Sequence, residues 1–174
     1  SLRPLEQVME RTGGYSDGMM EEYLPQFLAT YKAHPADHTV VYPGVFDVLE
    51  QLKADGITLG VCTNKPHDIS LVVLAELGLA GFFAAALGGD ALAVRKPDPA
   101  HFPAVLDGMG AVSRYAIHVG DSPTDVAVAR NAGVPVIAVS YGYSRVPPAD
   151  LGADALIDEF TALPGAIASI LARD

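Results

Sequence analysis

Thiol chemistry is nearly absent from this chain, since Cys62 is the single cysteine among 174 residues and no intrachain disulfide can form. The thiol lies in the apolar, strand-like run from Ile57 to Thr63, which casts it as a small buried hydrophobe in a reducing, cytoplasmic setting. Basic residues are scarce as well. Eleven Lys and Arg stand against 21 Asp and Glu, a net charge of −10, whereas nucleic acid and anionic membrane surfaces are held by cations. Neither is expected as a partner. Long apolar runs are also missing: Ile69 to Leu79 is broken by Glu76 and Gly78, well short of the roughly 18 residues a membrane span requires. The opening Ser1-Leu2-Arg3-Pro4-Leu5-Glu6 lacks a signal-peptide pattern, and a non-initiator Ser1 suggests a processed, engineered or incomplete start.

Apolar mass, by contrast, is plentiful. Half of the residues are hydrophobic and 18% are charged, enough to bury a large core in one compact unit with a small appendage. Helical spacing recurs from Leu5 to Arg11 and from Asp17 to Lys32, predicting a helical pair joined at Gly13-Gly14. A connector from His34 to Pro43 marks the one plausible boundary. Beyond it the pattern alternates. Helices are predicted over 45–54, 68–77, 100–109, 124–132 and 163–171, and strands over 57–63, 83–87, 115–119, 134–139 and 155–157. Such alternation predicts an α/β fold, a Rossmann-like doubly wound parallel sheet with helices on both faces. Gly56, Gly78, Gly110 and Gly133 fall at helix-to-strand junctions, where left-handed caps are needed.

In an open parallel sheet, ligands gather beyond the carboxyl ends of the strands. Thr63 and Asn64 end one strand and precede a helix, so hydroxyl, amide and backbone N–H groups can face one anion; helix capping is the plainer role for either. Lys96, in Arg95-Lys96-Pro97-Asp98-Pro99, is a cation presented by proline-stiffened backbone, although taken alone it reads better as a surface lysine with no role. In Gly120-Asp121-Ser122-Pro123-Thr124-Asp125 two carboxylates stand one helical turn apart at a strand-to-helix turn. Hard oxygens there suit Mg²⁺, which takes one or two carboxylates plus substrate phosphate; the alternative is that both acids only complement the helix dipole. The three segments occur together and in order.

That set resembles the haloacid dehalogenase-like hydrolase superfamily. The words Cys62-Thr63-Asn64-Lys65-Pro66, Gly88-Gly89-Asp90 and Tyr141-Gly142-Tyr143 are similar to its phosphoglycolate phosphatase-like branch. The resemblance implies that Thr63 and Asn64 bind the transferring phosphoryl group and that Lys96 neutralises phosphate and nucleophile. It further implies that Asp121 is a Mg²⁺ ligand and that Asp125 is its acidic partner at the metal. Residues 1–39 would be part of a helical cap and 40–174 the Rossmann-like core, with His34 and His38 on the hinge side as structural or surface residues. The family's nucleophilic Asp-x-Asp-Gly-Thr segment is not found. Asp17-Gly18 is its nearest echo, but no apolar strand precedes it. The resemblance places that segment on a central strand between those ending at Thr63 and Asp121, so the chain is expected to lack the core's first strand and to be inactive alone.

The implied activity is that of a Mg²⁺-dependent phosphatase of a small phosphorylated metabolite, phosphoglycolate first, through an aspartyl-phosphate in the full-length parent. A non-catalytic binding module and a β-phosphoglucomutase-like phosphosugar enzyme are the alternatives. A monomer or homodimer is expected.

Overall fold

A computed structural model describes residues 13–14 and 17–173. The helix expected over Leu5 to Arg11 lies outside the described residues. The chain divides into two compact units, residues 1–40 and 41–174.

In the first unit, α1 spans Asp17–Ala33 and continues through Pro25. A proline there removes one i to i−4 hydrogen bond from the ladder. Phe27 and Tyr31, one turn apart, stack with ring centroids 6.0 Å apart.

The second unit alternates helix and strand: α2 Val45–Ala54, β1 Leu59–Cys62, α3 His67–Glu76, β2 Phe83–Leu87, α4 His101–Met109, β3 His118–Gly120, α5 Pro123–Ala132, β4 Val136–Val139, β5 Ala155–Ile157 and α6 Leu163–Leu171. Every strand pairing is parallel, β1 with β2 and β3 with β4 with β5. The strands therefore form two ladders, and among the described residues β1 and β3 do not pair with each other.

Three strands begin later than the apolar pattern suggests, for one shared reason. The amide of Ile57 donates to Leu52 O to close α2, and that of Val134 donates to Ala129 O to close α5, so neither is left for a ladder. Pro135 has no N–H, and the ladder starts at Val136. Residues Ser113–Tyr115 form a 3₁₀ turn whose closing bond uses the Ala116 amide, which delays β3 to His118. The four junction glycines all adopt positive φ, between 65° and 78°.

Helices cover both faces. Val48 and Leu52 of α2 and Leu163 and Ile170 of α6 meet Ile137 and Ile157 on one face. On the other, Phe102 and Leu106 of α4 and Val128 and Ala129 of α5 meet Val136. Consecutive residues Val136 and Ile137, both wholly buried, thus serve opposite cores, as strand alternation demands. Burying each contributes about 1.5–3 kcal/mol. Arg130 on α5 adds a clamp by donating to both oxygens of Asp154 and to Gly152 O, while Asp154 Oδ2 accepts the Val136 amide at 2.8 Å.

Candidate functional site

The carboxyl ends of β1 and β3 bring the singled-out residues together through Lys96. Thr63 continues the β1–β2 ladder by one bond, its amide donating to Leu87 O at 3.1 Å. Its hydroxyl oxygen accepts the Lys65 amide at 3.1 Å, which leaves the hydroxyl proton for another acceptor. Asn64 Nδ2 donates to Lys96 O at 3.0 Å, while its Oδ1 is buried without a hydrogen-bond partner. The first amide of α3, that of His67, is already taken by Asp90 Oδ1 at 2.6 Å. One of the N-terminal amides of α3 is thereby already committed within the protein.

Lys96 is buried, with 9% of its surface exposed, which rules out the surface-lysine reading. Its ammonium donates to Cys62 O at 2.6 Å and to Asp125 Oδ1 at 2.6 Å. Two of its three protons are committed by these bonds, and the third is uncommitted among the described residues. Arg95 beside it is exposed.

Asp125 is the hub. Oδ1 accepts from Lys96 Nζ and from His118 Nε2 at 3.1 Å, and Oδ2 accepts the amides of Asp121 and Ser122 and the Ser122 hydroxyl at 3.2, 3.1 and 2.6 Å. The Asp125 amide returns a bond to Ser122 Oγ, completing a capping box at the start of α5. Burial alone would push this carboxyl up. The hydrogen bond from His118, the charge and hydrogen bond of Lys96 and the Ser122 bond outweigh it, holding Asp125 well below the usual carboxylate range. Gly120 makes the packing possible, because a Cβ there would fall on the Asp125 carboxyl group.

Asp121 is held differently. Its Oδ2 accepts the backbone amide of Tyr143 at 2.6 Å, and Gly142 approaches so closely that a Cβ would overlap the Asp121 side chain. Oδ1 accepts no hydrogen bond among the described residues. For a divalent cation, then, Asp121 offers one uncommitted carboxylate oxygen, and both oxygens of Asp125 are engaged by protein donors. One carboxylate oxygen fits Mg²⁺, which usually retains several waters and takes phosphate oxygens as further ligands. Among the described residues no group of three or more His, Cys, Asp or Glu is arranged to hold a metal. Cavities of about 480 and 330 Å³, lined around Tyr31 and around Tyr141, include neither Lys96 nor Asp121. His34, on the wall of the first, pairs with Asp37 at 2.8 Å and is exposed.

Sequence reasoning missed His118, His101 and the grip of Tyr143 on Asp121. His118 and His101 are 6% and 0% exposed. For His118, a polar residue in an apolar strand pattern was the available signal, since buried polar groups require partners; His101 opens α4 and carried no such signal. His101 Nε2 lies 3.1 Å from Gly88 O and Nδ1 lies 3.4 Å from Cys62 Sγ. A carbonyl can only accept, so Nε2 bears the proton and the thiol donates to Nδ1. Burial pushes the Cys62 thiol up to about 11, with the Lys96 charge opposing.

The alternating fold and the Thr63, Lys96 and Asp121 edge define the chain as a member of the haloacid dehalogenase-like hydrolase family, whose sequence profile matches residues 3–139. Among its relatives, a phosphoglycolate phosphatase of Rhodospirillum rubrum is 50% identical over 153 residues, 88% of this chain and 64% of that protein. One from Agrobacterium fabrum is 42% identical, covering 82% of this chain and 61% of that protein. The chain thus spans less than two thirds of the length of these two relatives. A solved structure from Haemophilus somnus, described as a predicted phosphoglycolate phosphatase, superposes with a TM-score of 0.82 at 30% identity, covering 90% of this chain and 70% of that one.

Proposed function

We propose that this chain belongs to a Mg²⁺-dependent phosphatase acting on a small phosphorylated metabolite, phosphoglycolate first, with residues 1–39 contributing to a cap and 40–174 forming the core. The observation that supports this most is the buried Lys96 ammonium, fixed between Cys62 O and Asp125 with one proton left over. The phosphoglycolate phosphatases among its relatives favour the substrate.

In this reading Lys96 lends positive charge to the phosphoryl oxygens as negative charge builds on them. Thr63 donates its free hydroxyl proton to one of those oxygens, and Asn64 holds the Lys96 backbone by its amide while its uncommitted Oδ1 lies beside the same edge. Asp121 would hold the metal by Oδ1, and Asp125 would keep both Lys96 and the 121–122 turn in place. Mg²⁺, when bound, supplies Lewis-acid charge stabilisation to the phosphoryl oxygens.

Phosphate release from phosphoglycolate with Mg²⁺ tests the reading, measured on the 174-residue chain and on the same chain extended at its N terminus. Turnover is expected in at least the extended chain, with Lys96→Ala lowering kcat by about 10²-fold or more, the scale of losing one transition-state donor. Turnover that ignores Lys96→Ala would overturn the assignment, and none in either chain would favour a non-catalytic binding module. Product analysis with a sugar phosphate separates hydrolysis from a mutase reaction.

A further inference from the structure

Both acceptors that hold the Lys96 ammonium are themselves buttressed from adjacent residues at the start of α4. His101 meets the Cys62 side chain, whose carbonyl takes one lysine proton. Phe102 meets the ring of His118 edge-on, with centroids 5.4 Å apart and planes at 88°. His118 in turn reaches Asp125 Oδ1, which takes the second lysine proton. No motif in the sequence singled out this histidine, and none of the chemistry proposed above uses it.

We propose that His118 is a positioning residue for Lys96, acting through Asp125; the proposal rests on the phosphatase reading for its purpose but not for its geometry. The reasoning starts from the carboxylate. Oδ2 is fixed by three donors that all belong to Asp121 and Ser122, so it follows the β3–α5 turn. Oδ1 has only Lys96 and His118, and the lysine is a long, flexible stem arriving from a different loop. His118 is the rigid member of that pair: its amide donates to Pro135 O, its ring packs on Phe102, and 6% of its surface is exposed. Because the ionised Oδ1 can only accept, the imidazole bears its proton on Nε2 and points it at the oxygen. The ring thereby fixes where Oδ1 sits, and Oδ1 fixes where the ammonium sits. Removing the Nε2–H would leave the carboxylate plane set by one end alone and let the ammonium wander from the phosphoryl position.

Nitrogen-15 NMR on the 174-residue chain tests this without requiring turnover. In the wild type, long-range correlations should show the His118 proton on Nε2, and the Lys96 ammonium, assigned by its absence in Lys96→Met, should be protected enough to be seen. His118→Gln, whose side-chain amide can replace the Nε2–H, should keep the Lys96 resonance. His118→Leu should lose it while backbone amide dispersion is preserved. A wild-type ring protonated on Nδ1 but not on Nε2 would overturn the proposal whether or not the Leu variant folds, and so would an unchanged Lys96 signal in His118→Leu. Phosphoglycolate turnover by the N-terminally extended chain, run in parallel, should fall in kcat more than KM rises for His118→Leu and recover in His118→Gln. If the NMR result holds while no form turns over substrate, positioning stands and the phosphatase reading falls.

Discussion

Asp125 accepts five hydrogen bonds and pairs with a buried lysine, so its ionisation is tied to folding. Asp125→Asn would leave the Lys96 charge buried without its counter-ion, and the expected cost at pH 7 is about 3–5 kcal/mol by urea unfolding. The pH dependence follows from the depressed carboxyl. A group whose native value lies below its unfolded value of about 3.9 stabilises the fold above that value and loses the contribution as pH falls toward the native one. The gap between wild type and Asp125→Asn should therefore be constant near neutrality and begin to close below about pH 4. A gap that widened on acidification would contradict the assignment. Cys62 gives a second test at the same scale. With the thiol pushed up to about 11 from its ordinary value of 9.0, thiolate at pH 8 should be scarcer by about 100-fold than in an unfolded chain. Disulfide-exchange labelling should thus be slow in buffer and rapid in denaturant.

At the start of α5, Ser122 both accepts the Asp125 amide and donates to its carboxylate. Ser122→Ala should cost about 1 kcal/mol and lower Tm by about 2–4 °C, read by calorimetry. The capping box itself comes from the structure, while the helices of residues 17–173 and the two-sided layering were legible in the sequence, because periodicity is set by the residues themselves. Strand starts were not. Whether the amides of Ile57, Val134 and Ala116 join a ladder or close a preceding turn depends on competition between two backbone partners, which side-chain pattern does not encode. The site divided along the same line. Thr63 and Asp121 announced themselves as polar groups at strand ends, Lys96 as a cation in a proline-stiffened loop and Asp125 as a carboxylate one helical turn beyond Asp121, whereas His118 and His101 depend on side chains more than six residues distant: His118 on Asp125 and Phe102, His101 on Cys62. The burial of Lys96 was likewise illegible, since it follows from the packing of Cys62 and Asp125 around it.

At the scale of the whole molecule, a net charge of −10 sets a background of self-repulsion in the compact state. The exposed Arg130–Asp154 pair is screened by salt, but Lys96–Asp125 is buried and much less so. Relief of repulsion should therefore dominate, and Tm should rise as NaCl is raised from about 0.01 to 0.5 M, over which the Debye length shrinks several-fold. A fall in Tm over that range would show that surface pairs matter more than net charge. The grip on Asp121 bears on how freely this sequence can drift. It is made by the peptide N–H of residue 143 and by the missing Cβ of residue 142, while the Tyr143 side chain is 89% exposed. Natural variation at 143 can thus range over every amino acid with an amide hydrogen and still hold the carboxylate, proline alone being barred, while 142 stays glycine. A contact written in backbone leaves almost no trace in side-chain identity.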